Sequence, residues 1–404
     1  MIKSDHRNVL AISLSQFGMA FCWNFIVVSM PFYILSISPY SLRETLIWTG
    51  LILGFPNLVV TISSNFWGML TSRYSPKLLY LRAMLINTVL FLLMGFTHNL
   101  HLLFLIRIVQ GVMGGFSTLG LIIVSSSSPR ERLSADIGFF QTFLTLGFLV
   151  GPPLGALAAS AFGYRGAFIV TSAFALAFSV FCFFGVTDVP RTPKSDRVLG
   201  RGTINRQTVP AWVLCFMASV QLMFLPSVLP NILQSFQMEK AVALRWAGTI
   251  IMLYSATATL GTYFCSRLSV KIGVERMIVL LVLLGTLFQS LLALSGGMVS
   301  FIVIRMVQTG LIAATVPLVI SLFAVEGKGG TIGFLNSGRF AGNGLGAILA
   351  TSLLAFSNLT ALYLSISAMT LLALVVFRFS LARGQTRDMT KGPRADGPFA
   401  QTTQ

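Results

Sequence analysis

The sequence predicts an all-α membrane protein of twelve transmembrane helices, arranged as two pseudo-symmetric bundles of six helices. Three observations support this fold class: the composition, the number of long apolar runs, and motifs that recur between the two halves of the chain. Of the 404 residues, 55% are hydrophobic and 10% are charged, and the mean hydropathy is +0.84. Soluble domains carry about 25% charged residues. A chain this apolar has little polar surface for water, so a bilayer suits it better.

Twelve runs are long and apolar enough to cross a bilayer, which takes about 20 residues in a helix. The first run is too long for a removable signal peptide and lacks a small-residue cleavage site. Ser41 and Glu44 have the spacing of a capping box and predict the start of the second helix. The runs are 9–35, 45–71, 78–97, 100–124, 136–158, 166–186, 210–236, 246–266, 276–295, 299–323, 330–353 and 359–379.

The second half of the chain repeats motifs of the first half in the same order. Two of the motifs keep one offset of 198 residues, from 48 to 246 and from 107 to 305. A duplicated membrane unit is typical of transporters, whose site lies between the repeats. The motif pairs are Trp48-Thr49-Gly50 with Trp246-Ala247-Gly248, Arg107-x-x-Gln110 with Arg305-x-x-Gln308, and Ile137-Gly138-Phe139 with Ile332-Gly333-Phe334.

The repeat and the polar stretches divide the chain into four parts. Residues 1–187 and 210–383 are the predicted six-helix bundles. Residues 188–209 form a basic linker on the cytoplasmic side. Residues 384–404 consist almost entirely of Gly, Pro, Thr, Gln and charged residues, and this composition predicts a disordered cytoplasmic tail.

The basic residues are distributed unevenly across the predicted membrane. Of the 28 Lys and Arg residues, 21 fall at the N-terminus, in the tail and in the loops of that same side with the adjoining ends of runs, four on the other side, and three deep inside runs. This is the pattern of the positive-inside rule. It predicts a multi-pass protein of the cytoplasmic (inner) cell membrane with both termini in the cytoplasm. The net charge of +17 therefore reflects topology and contact with anionic lipid, and we expect no nucleic-acid partner.

Charged groups inside the runs are few and have one sign. Neither the eleven acidic residues nor the three His lie deep in a run, whereas Arg107, Arg305 and Arg339 do. An arginine in the bilayer needs a partner or a polar cavity. Arg107 and Arg305 either tie neighbouring helices through backbone carbonyls or act on charge in a cavity. Arg339 lies near the predicted midplane on a polar stripe with Asn336, which favours a position facing a cavity.

Three local patterns resemble the major facilitator superfamily, and the third resembles its twelve-span drug:proton antiporter-type efflux permeases. The first is the loop from Gly68 through Ser72 and Arg73 to Lys77, with Ser72 where the family has an acid; its repeat contains Lys271. The second is Arg107-x-x-Gln110-Gly111. The third is Gly147-x-x-x-Gly151-Pro152-x-x-Gly155. The resemblance implies two bundles that rock around a central cavity to give alternating access.

The expected cavity contains polar and aromatic residues of the runs that line it in the family. Amides in hydrocarbon need partners, so each could instead join two helices. The substrate or coupling candidates are Asn24, Asn57, Arg107, Gln110, Gln141, Gln221, Tyr254, Arg305, Gln308, Asn336 and Arg339.

The gating candidates are the loop residues Gly68, Ser72, Arg73, Lys77 and Lys271 and one helix seam. Gly147, Gly151 and Gly155 share a helix face, where the absence of side chains permits close helix packing. Pro152 bends the same helix. This predicts either ordinary helix packing or a seam that opens and closes during transport. Ser72 brings no charge to a helix dipole, which predicts a weaker latch at the cytoplasmic gate.

The predicted function is a secondary transporter that exports small organic compounds or drugs. The absence of a deep carboxylate argues against the usual proton relay. The sequence therefore leaves the coupling ion open, as a proton or another ion. The excess of buried positive charge favours the alternative, uptake or exchange of an organic anion or a phosphorylated metabolite. A non-transporting sensor or scaffold is a further alternative. The sequence shows no enzyme motif, no metal-ligand spacing and no cofactor site, and we expect a monomer.

Overall fold

The computed structural model describes residues 2–129, 132–190, 207–324 and 329–390. Within these ranges the chain is helical, with one short 3-10 turn and no β-strand. The helices are α1 (Ile2–Val27), α2 (Ser29–Ile37), α3 (Leu42–Leu70), α4 (Pro76–Phe96), α5 (Leu100–Val112), α6 (Phe116–Ser127), α7 (Leu133–Gly185), α8 (Thr208–Met223), α9 (Leu225–Ser235), α10 (Lys240–Ile272), α11 (Val274–Leu291), α12 (Met298–Ile312), α13 (Thr315–Ala324), α14 (Gly329–Phe356) and α15 (Leu359–Thr390).

The predicted runs all lie in helices, and four of them are interrupted. Run 1 is divided into α1 and α2, run 4 into α5 and α6, run 7 into α8 and α9, and run 10 into α12 and α13. By length and composition, ten helical stretches of the described residues could cross a membrane. The pair α8 and α9, bent by 41°, makes an eleventh. The chain is therefore a multi-pass membrane protein.

The stretch α7 contains two predicted runs and reverses at Gly163. Its 53 residues hold one non-helical residue, Gly163, at φ 71° and ψ 173°. Before Gly163, the contacts with α1 run in the same direction along both chains, with Gly147 beside Phe17 and Gly155 beside Phe25. After Gly163 they run in the opposite direction; these contacts are Phe168 with Tyr33, Phe174 with Phe21, and Phe178 with Phe17. The two arms of α7 are therefore antiparallel and we count them as two spans.

Local signals in the sequence account for several helix starts. The capping box predicted at Ser41 is present: its hydroxyl accepts from the Glu44 backbone N–H, and the Glu44 carboxylate accepts from the Ser41 backbone N–H. Asn99 caps α5 by accepting from the backbone N–H groups of His101 and Leu102. Ser75 caps α4 ahead of Pro76 at its first position. These caps satisfy donors that a helix start leaves free.

The first half (α1–α7) and the second half (α8–α15) meet mainly through two helix pairs, α3 with α14 and α7 with α10. We call the side that holds the N-terminus and the α3–α4 loop the N-terminal side, and the opposite side the far side. The α3–α14 contacts run from Arg43, whose guanidinium lies 3.9 Å from the Phe356 ring centroid, to Leu58, which faces Gly344. They therefore occupy the far-side part of both helices.

The second helix pair also closes on the far side. A Cβ on Gly248 of α10 would stand 2.6 Å from Ala156 and 2.8 Å from the Pro152 carbonyl oxygen of α7. One turn closer to the far side, Arg245 donates to the Ser160 hydroxyl at 3.3 Å. Glycine at position 248 thus lets the two helix backbones touch.

Toward the N-terminal side the α7 face that carries Pro152 is uncovered. At about 100° per residue, Gly138 and Gln141 fall on that face; Gln141 is exposed, and a Cβ on Gly138 would have nothing within 4 Å. Arg339, on the N-terminal-side part of α14, is exposed as well. The contacts between the halves therefore lie toward the far side, and α7 is uncovered toward the N-terminal side.

Two of the predicted domain limits can be compared with the helices. The linker was predicted at residues 188–209, and α8 already begins at Thr208; residues 191–206 lie outside the described ranges. The disordered tail was predicted from residue 384, whereas α15 continues to Thr390. Residues 391–404 also lie outside the described ranges.

Candidate functional site

Arg305 forms the centre of a fully buried polar cluster in the second half. Its guanidinium donates to the backbone carbonyls of Gln221 and Leu222 on α8, at 3.0 and 2.9 Å. It also donates to the Gln308 side chain at 2.7 Å. The Tyr254 ring centroid lies 4.9 Å from the guanidinium carbon and can stabilise its charge. Arg305 thus joins α12 to α8, close to where α8 ends.

Gln221 extends this cluster through the second half. Its side-chain oxygen accepts from Gln308 at 2.8 Å, and its amide donates to Thr370 at 2.8 Å and Thr286 at 3.3 Å. Gln221 and Gln308 are both fully buried. Four of the predicted cavity residues, Gln221, Tyr254, Arg305 and Gln308, therefore contact one another in the interior of one half.

Arg107 makes the corresponding arrangement in the first half. It donates to the Ile52 carbonyl of α3 at 3.1 Å and to the Gln110 side chain at 2.5 Å. Its guanidinium carbon lies 5.2 Å from the Trp23 ring centroid of α1. Both buried arginines thus bind backbone carbonyls of a neighbouring helix, which is the geometry expected when an arginine ties helices together.

Arg339 is exposed, unlike the other two predicted intramembrane arginines. At about 100° per residue, it falls with Asn336 and Asn343 on one strip of α14. This strip lies between the face that packs on α8 and the face that packs on α3. The α8 face contains Gly338, Gly342 and Gly346, and the α3 face contains Gly344, Ile348 and Thr351. The opposite strip is apolar and contains Phe334, Ala341 and Leu345.

The remaining amide candidates do not join neighbouring helices. Asn24 of α1 and Asn57 of α3 are partly buried, and each donates to a carbonyl one turn earlier in its own helix, at 2.9 and 3.1 Å. Gln141 of α7 is exposed, and Asn336 of α14 is partly buried. Asn24 also lies beside Gly151, where an added Cβ would stand 3.0 Å from the Asn24 Cβ.

The predicted glycine seam lies inside the first half. A Cβ on Gly147 would stand 2.8 Å from the Phe17 carbonyl oxygen, and one on Gly155 would stand 1.8 Å from the Phe25 carbonyl oxygen. Gly151 packs on α1 in the same way, with the Phe21 carbonyl oxygen at 2.8 Å. The seam therefore joins two helices of the same half. The contact with the second half is made by Pro152, on the adjacent face of α7.

The predicted gating loop connects elements of its own half. The Ser72 hydroxyl donates to the Met69 carbonyl at 2.9 Å, and Lys77 donates to the Phe183 carbonyl at the end of α7, at 2.8 Å. Gly68 lies in the last turn of α3, where an added Cβ would stand 3.6 Å from Thr118. Arg73 and Lys271 are exposed. The Ser72 hydroxyl thus forms a hydrogen bond within its own turn.

The sequence reasoning overlooked one arginine, because it counted Arg82, near the start of the run 78–97, only among the basic residues of the N-terminal side. Arg82 lies in the second turn of α4, with its guanidinium carbon 3.3 Å from the Trp67 ring centroid. It donates to the Met113 carbonyl at 3.5 Å, in the break between α5 and α6. The signal in the sequence was Gly114-Gly115, two adjacent helix breakers inside a predicted run.

In the described part of the chain, no group of three or more His, Cys, Asp and Glu could hold a metal ion. Its polar clusters are built from arginine, amides and hydroxyls. Such groups can bind an anion or a neutral polar compound, or join helices.

Comparison with known proteins identifies the family to which this architecture belongs. The family model described as Major Facilitator Superfamily matches residues 12–225 and 211–402. Multidrug resistance protein MdtG of Dickeya zeae (strain Ech586) is 24% identical over 393 residues, which cover 95% of this chain and 96% of that protein.

Two solved structures share the fold. The crystal structure of the nucleoside transporter NupG has a TM-score of 0.75 at 12% identity and covers 92% of this chain and 98% of its own. The human organic anion transporter MFSD10 (TETRAN) has a TM-score of 0.66 at 16% identity and covers 92% of this chain and 99% of its own.

Proposed function

The chain belongs to the major facilitator superfamily and is a membrane transporter, not an enzyme, and from this premise we propose that it exports small organic compounds by alternating access. Its substrate would enter from the N-terminal side, pass between the halves, and leave when the far side opens. The N-terminal side would be the cytoplasm, because it carries most of the Lys and Arg residues.

The observation that carries the proposal is the position of the contacts between the halves. Gly248 meets Pro152, and Gly54 meets Gly344, both toward the far side, while Gly138 and Gln141, on the Pro152 face of α7, are exposed nearer to the N-terminal side. Access from one side at a time is what alternating access requires. The described state would be the one that opens to the cytoplasm.

The proposed direction of transport is export. The similarity to a relative named as a multidrug resistance protein extends over 95% of this chain. The Gly147-x-x-x-Gly151-Pro152-x-x-Gly155 motif resembles that of export-type members.

A second candidate function is exchange of an organic anion, and Arg339 favours it. This guanidinium is exposed on a polar strip with Asn336 and Asn343, and no carboxylate lies beside it on α14. A cationic group in a polar cavity within the membrane is typical of a substrate or ion pathway. Arg107 and Arg305 contribute less to this argument, because backbone carbonyls already hold their guanidinium groups.

Two assays separate the candidates. Expression in a drug-hypersensitive bacterial host should raise resistance to several lipophilic compounds if the protein is an exporter. Purified protein in liposomes, with imposed pH and sodium gradients, should move the same compounds and show which ion drives them. Resistance with no flux in liposomes would contradict direct export.

The anion candidate requires a different result. Labelled organic anions should accumulate in vesicles that contain the wild-type protein, and Arg339→Gln should abolish that flux. Asn358→Ala, on the far-side loop before α15, is a control expected to leave the flux unchanged. Flux that survives in Arg339→Gln would exclude Arg339 as the anion-binding group.

A further inference from the structure

The α5–α6 break falls within a membrane span, yet three side chains satisfy its backbone. Ser63 donates to the Gly111 carbonyl at 2.8 Å, and Trp67 donates its indole N–H to the Val112 carbonyl at 2.7 Å. Arg82 donates to the Met113 carbonyl at 3.5 Å. Three consecutive carbonyls thus receive donors from α3 and α4. A helix end leaves its last carbonyls without helical partners, which is costly where there is no water. Of the three, the Gly111 carbonyl also accepts from the Gly114 backbone N–H at 3.2 Å.

The break itself requires glycine. Gly115 precedes α6 at φ 89°, a conformation that other residues adopt at a cost. A Cβ at Gly115 would stand 3.3 Å from the Trp67 ring, and one at Gly114 would stand 2.9 Å from Val60. The same indole therefore covers the turn and binds the carbonyl that precedes it.

The second half lacks this arrangement at the equivalent position. With the offset of 198 residues, Gly115 corresponds to Ala313, which has right-handed φ −62° and ψ −33° and donates to the Thr309 carbonyl. Ser63, Trp67 and Arg82 correspond to Gly261, Cys265 and Leu280. None of these three has a side chain that donates well to a carbonyl. Within the described residues, the α12–α13 junction therefore remains close to a continuous helix.

We propose that Ser63, Trp67 and Arg82 are positioning residues for transport, which lock a permanent break between α5 and α6. This inference rests on the proposed transport function. The lock fixes the direction of α5, which carries Gln110 about one turn and Arg107 about two turns before the break. It also fixes the start of α6, where Ser117 accepts from Gln16 of α1 at 2.9 Å.

The lock also connects this break to the contact between the halves. Ser63 and Trp67 lie on α3, between one and three turns beyond Leu58, which faces Gly344 of α14. Displacement of α3 against α14 would therefore carry the end of α5 with it. In the second half α10 contacts α12 by close packing instead, with Gly261 against the Gly310 carbonyl oxygen and the Thr257 and Thr309 hydroxyls 3.2 Å apart. No break is locked there, so the two halves would contribute unequally to the transport cycle.

The test removes one donor at a time from protein in lipid nanodiscs and liposomes. Ser63→Ala removes a hydroxyl, Trp67→Phe removes the indole N–H but keeps a ring, and Arg82→Gln removes the guanidinium. Ser179→Ala and Trp212→Phe are matched controls, because the Ser179 hydroxyl donates within its own helix and the Trp212 indole donates to Ser337. Hydrogen exchange of residues 111–118, thermal stability, transport turnover and substrate affinity are measured.

We expect each lock variant to exchange faster at residues 111–118 and to turn over at least about fivefold more slowly. Substrate affinity should change less than about twofold, and both controls should match the wild type. Exchange and turnover equal to those of the controls would overturn the positioning role. Hydrogen exchange needs no substrate and therefore tests the lock independently of transport. A wild-type protein that moves no compound would contradict the proposed function, and the exchange rates would still test the lock. A variant that does not fold is replaced by Gly115→Ala, with Gly138→Ala as its control.

Discussion

Gly54 of α3 lies so close to Gly344 of α14 that a Cβ at Gly54 would stand 2.2 Å from the Gly344 carbonyl oxygen. The two residues belong to different halves, so the far side is closed by direct backbone contact. Glycine on both helices permits this approach, as small residues do wherever membrane helices pack closely.

A larger side chain at position 54 should prevent closure of the far side. We expect Gly54→Leu to favour the state open on the far side and to lower transport at least about tenfold, because the contact cannot form without moving α14. Labelling of a cysteine introduced for Asn57 with a membrane-impermeant reagent from the far side measures this. Gly138→Leu, where nothing lies within 4 Å, is the control. Equal labelling in the two variants would contradict the account.

Loss of Arg305 should destabilise the protein, whereas loss of Arg339 should not. Arg305→Gln removes hydrogen bonds to two α8 carbonyls and to Gln308, and we expect a cost of about 2–3 kcal/mol. Arg339 is exposed, so Arg339→Gln should alter stability by less than about 0.5 kcal/mol. Thermal unfolding in detergent compares the two variants. Similar losses would show that Arg339 is also structural.

The turn inside α7 should not tolerate a side chain. Gly163 has φ 71° and ψ 173°, a region that only glycine occupies readily, so Gly163→Ala should cost about 1–3 kcal/mol through the backbone alone. No atom lies within 4 Å of the added Cβ, which excludes a steric cause. Gly138→Ala, in a helix with equally open space, should be neutral or slightly stabilising. If Gly163→Ala unfolds at the same temperature as the wild type, the chain does not reverse through a glycine conformation at position 163.

A carboxylate at position 72 should strengthen closure on the N-terminal side. Ser72 now donates to the Met69 carbonyl of its own turn, and it carries no charge for a helix dipole. Ser72→Asp restores the acid that the family pattern has there and should shift the population toward the far-side-open state. The labelling rate of a cysteine replacing Gln141, which is exposed on the Pro152 face of α7, should fall, and Ser72→Ala should leave it unchanged. Equal labelling rates in Ser72→Asp and wild type would contradict a latch at position 72.

The spans could be predicted because the length of an apolar run is a local signal. The repeated motifs could be recognised because their spacing can be read directly from the sequence. The pairs Trp48 with Trp246 and Arg107 with Arg305 align the two halves by their spacing along the chain alone. The capping box at Ser41 could also be predicted, because its two partners lie three residues apart. The function class followed from the same repeat, and the family match confirms it.

The partners of buried groups could not be predicted in the same way. Gly147, Gly151 and Gly155 indicate a close helix contact, but sequence alone does not say whether α1 or the other half provides it. Gln221 lies in the last turn of α8, and its partners Thr286 and Thr370 come from distant helices. Arg82 was not chosen as a candidate, because charge alone does not reveal that Trp67 and a broken helix lie beside it.

The distance between labels on the two sides of the α7–α10 pair tests alternating access most directly. In a variant without its four native cysteines, one pair of spin labels replaces Ser160 and Arg245 on the far side. A second pair replaces Phe139 and Phe264 on the N-terminal side. When substrate and an ion gradient are added to the protein in liposomes, the 160–245 distance should lengthen while the 139–264 distance shortens. Distances that both lengthen, both shorten or both stay fixed would contradict the account.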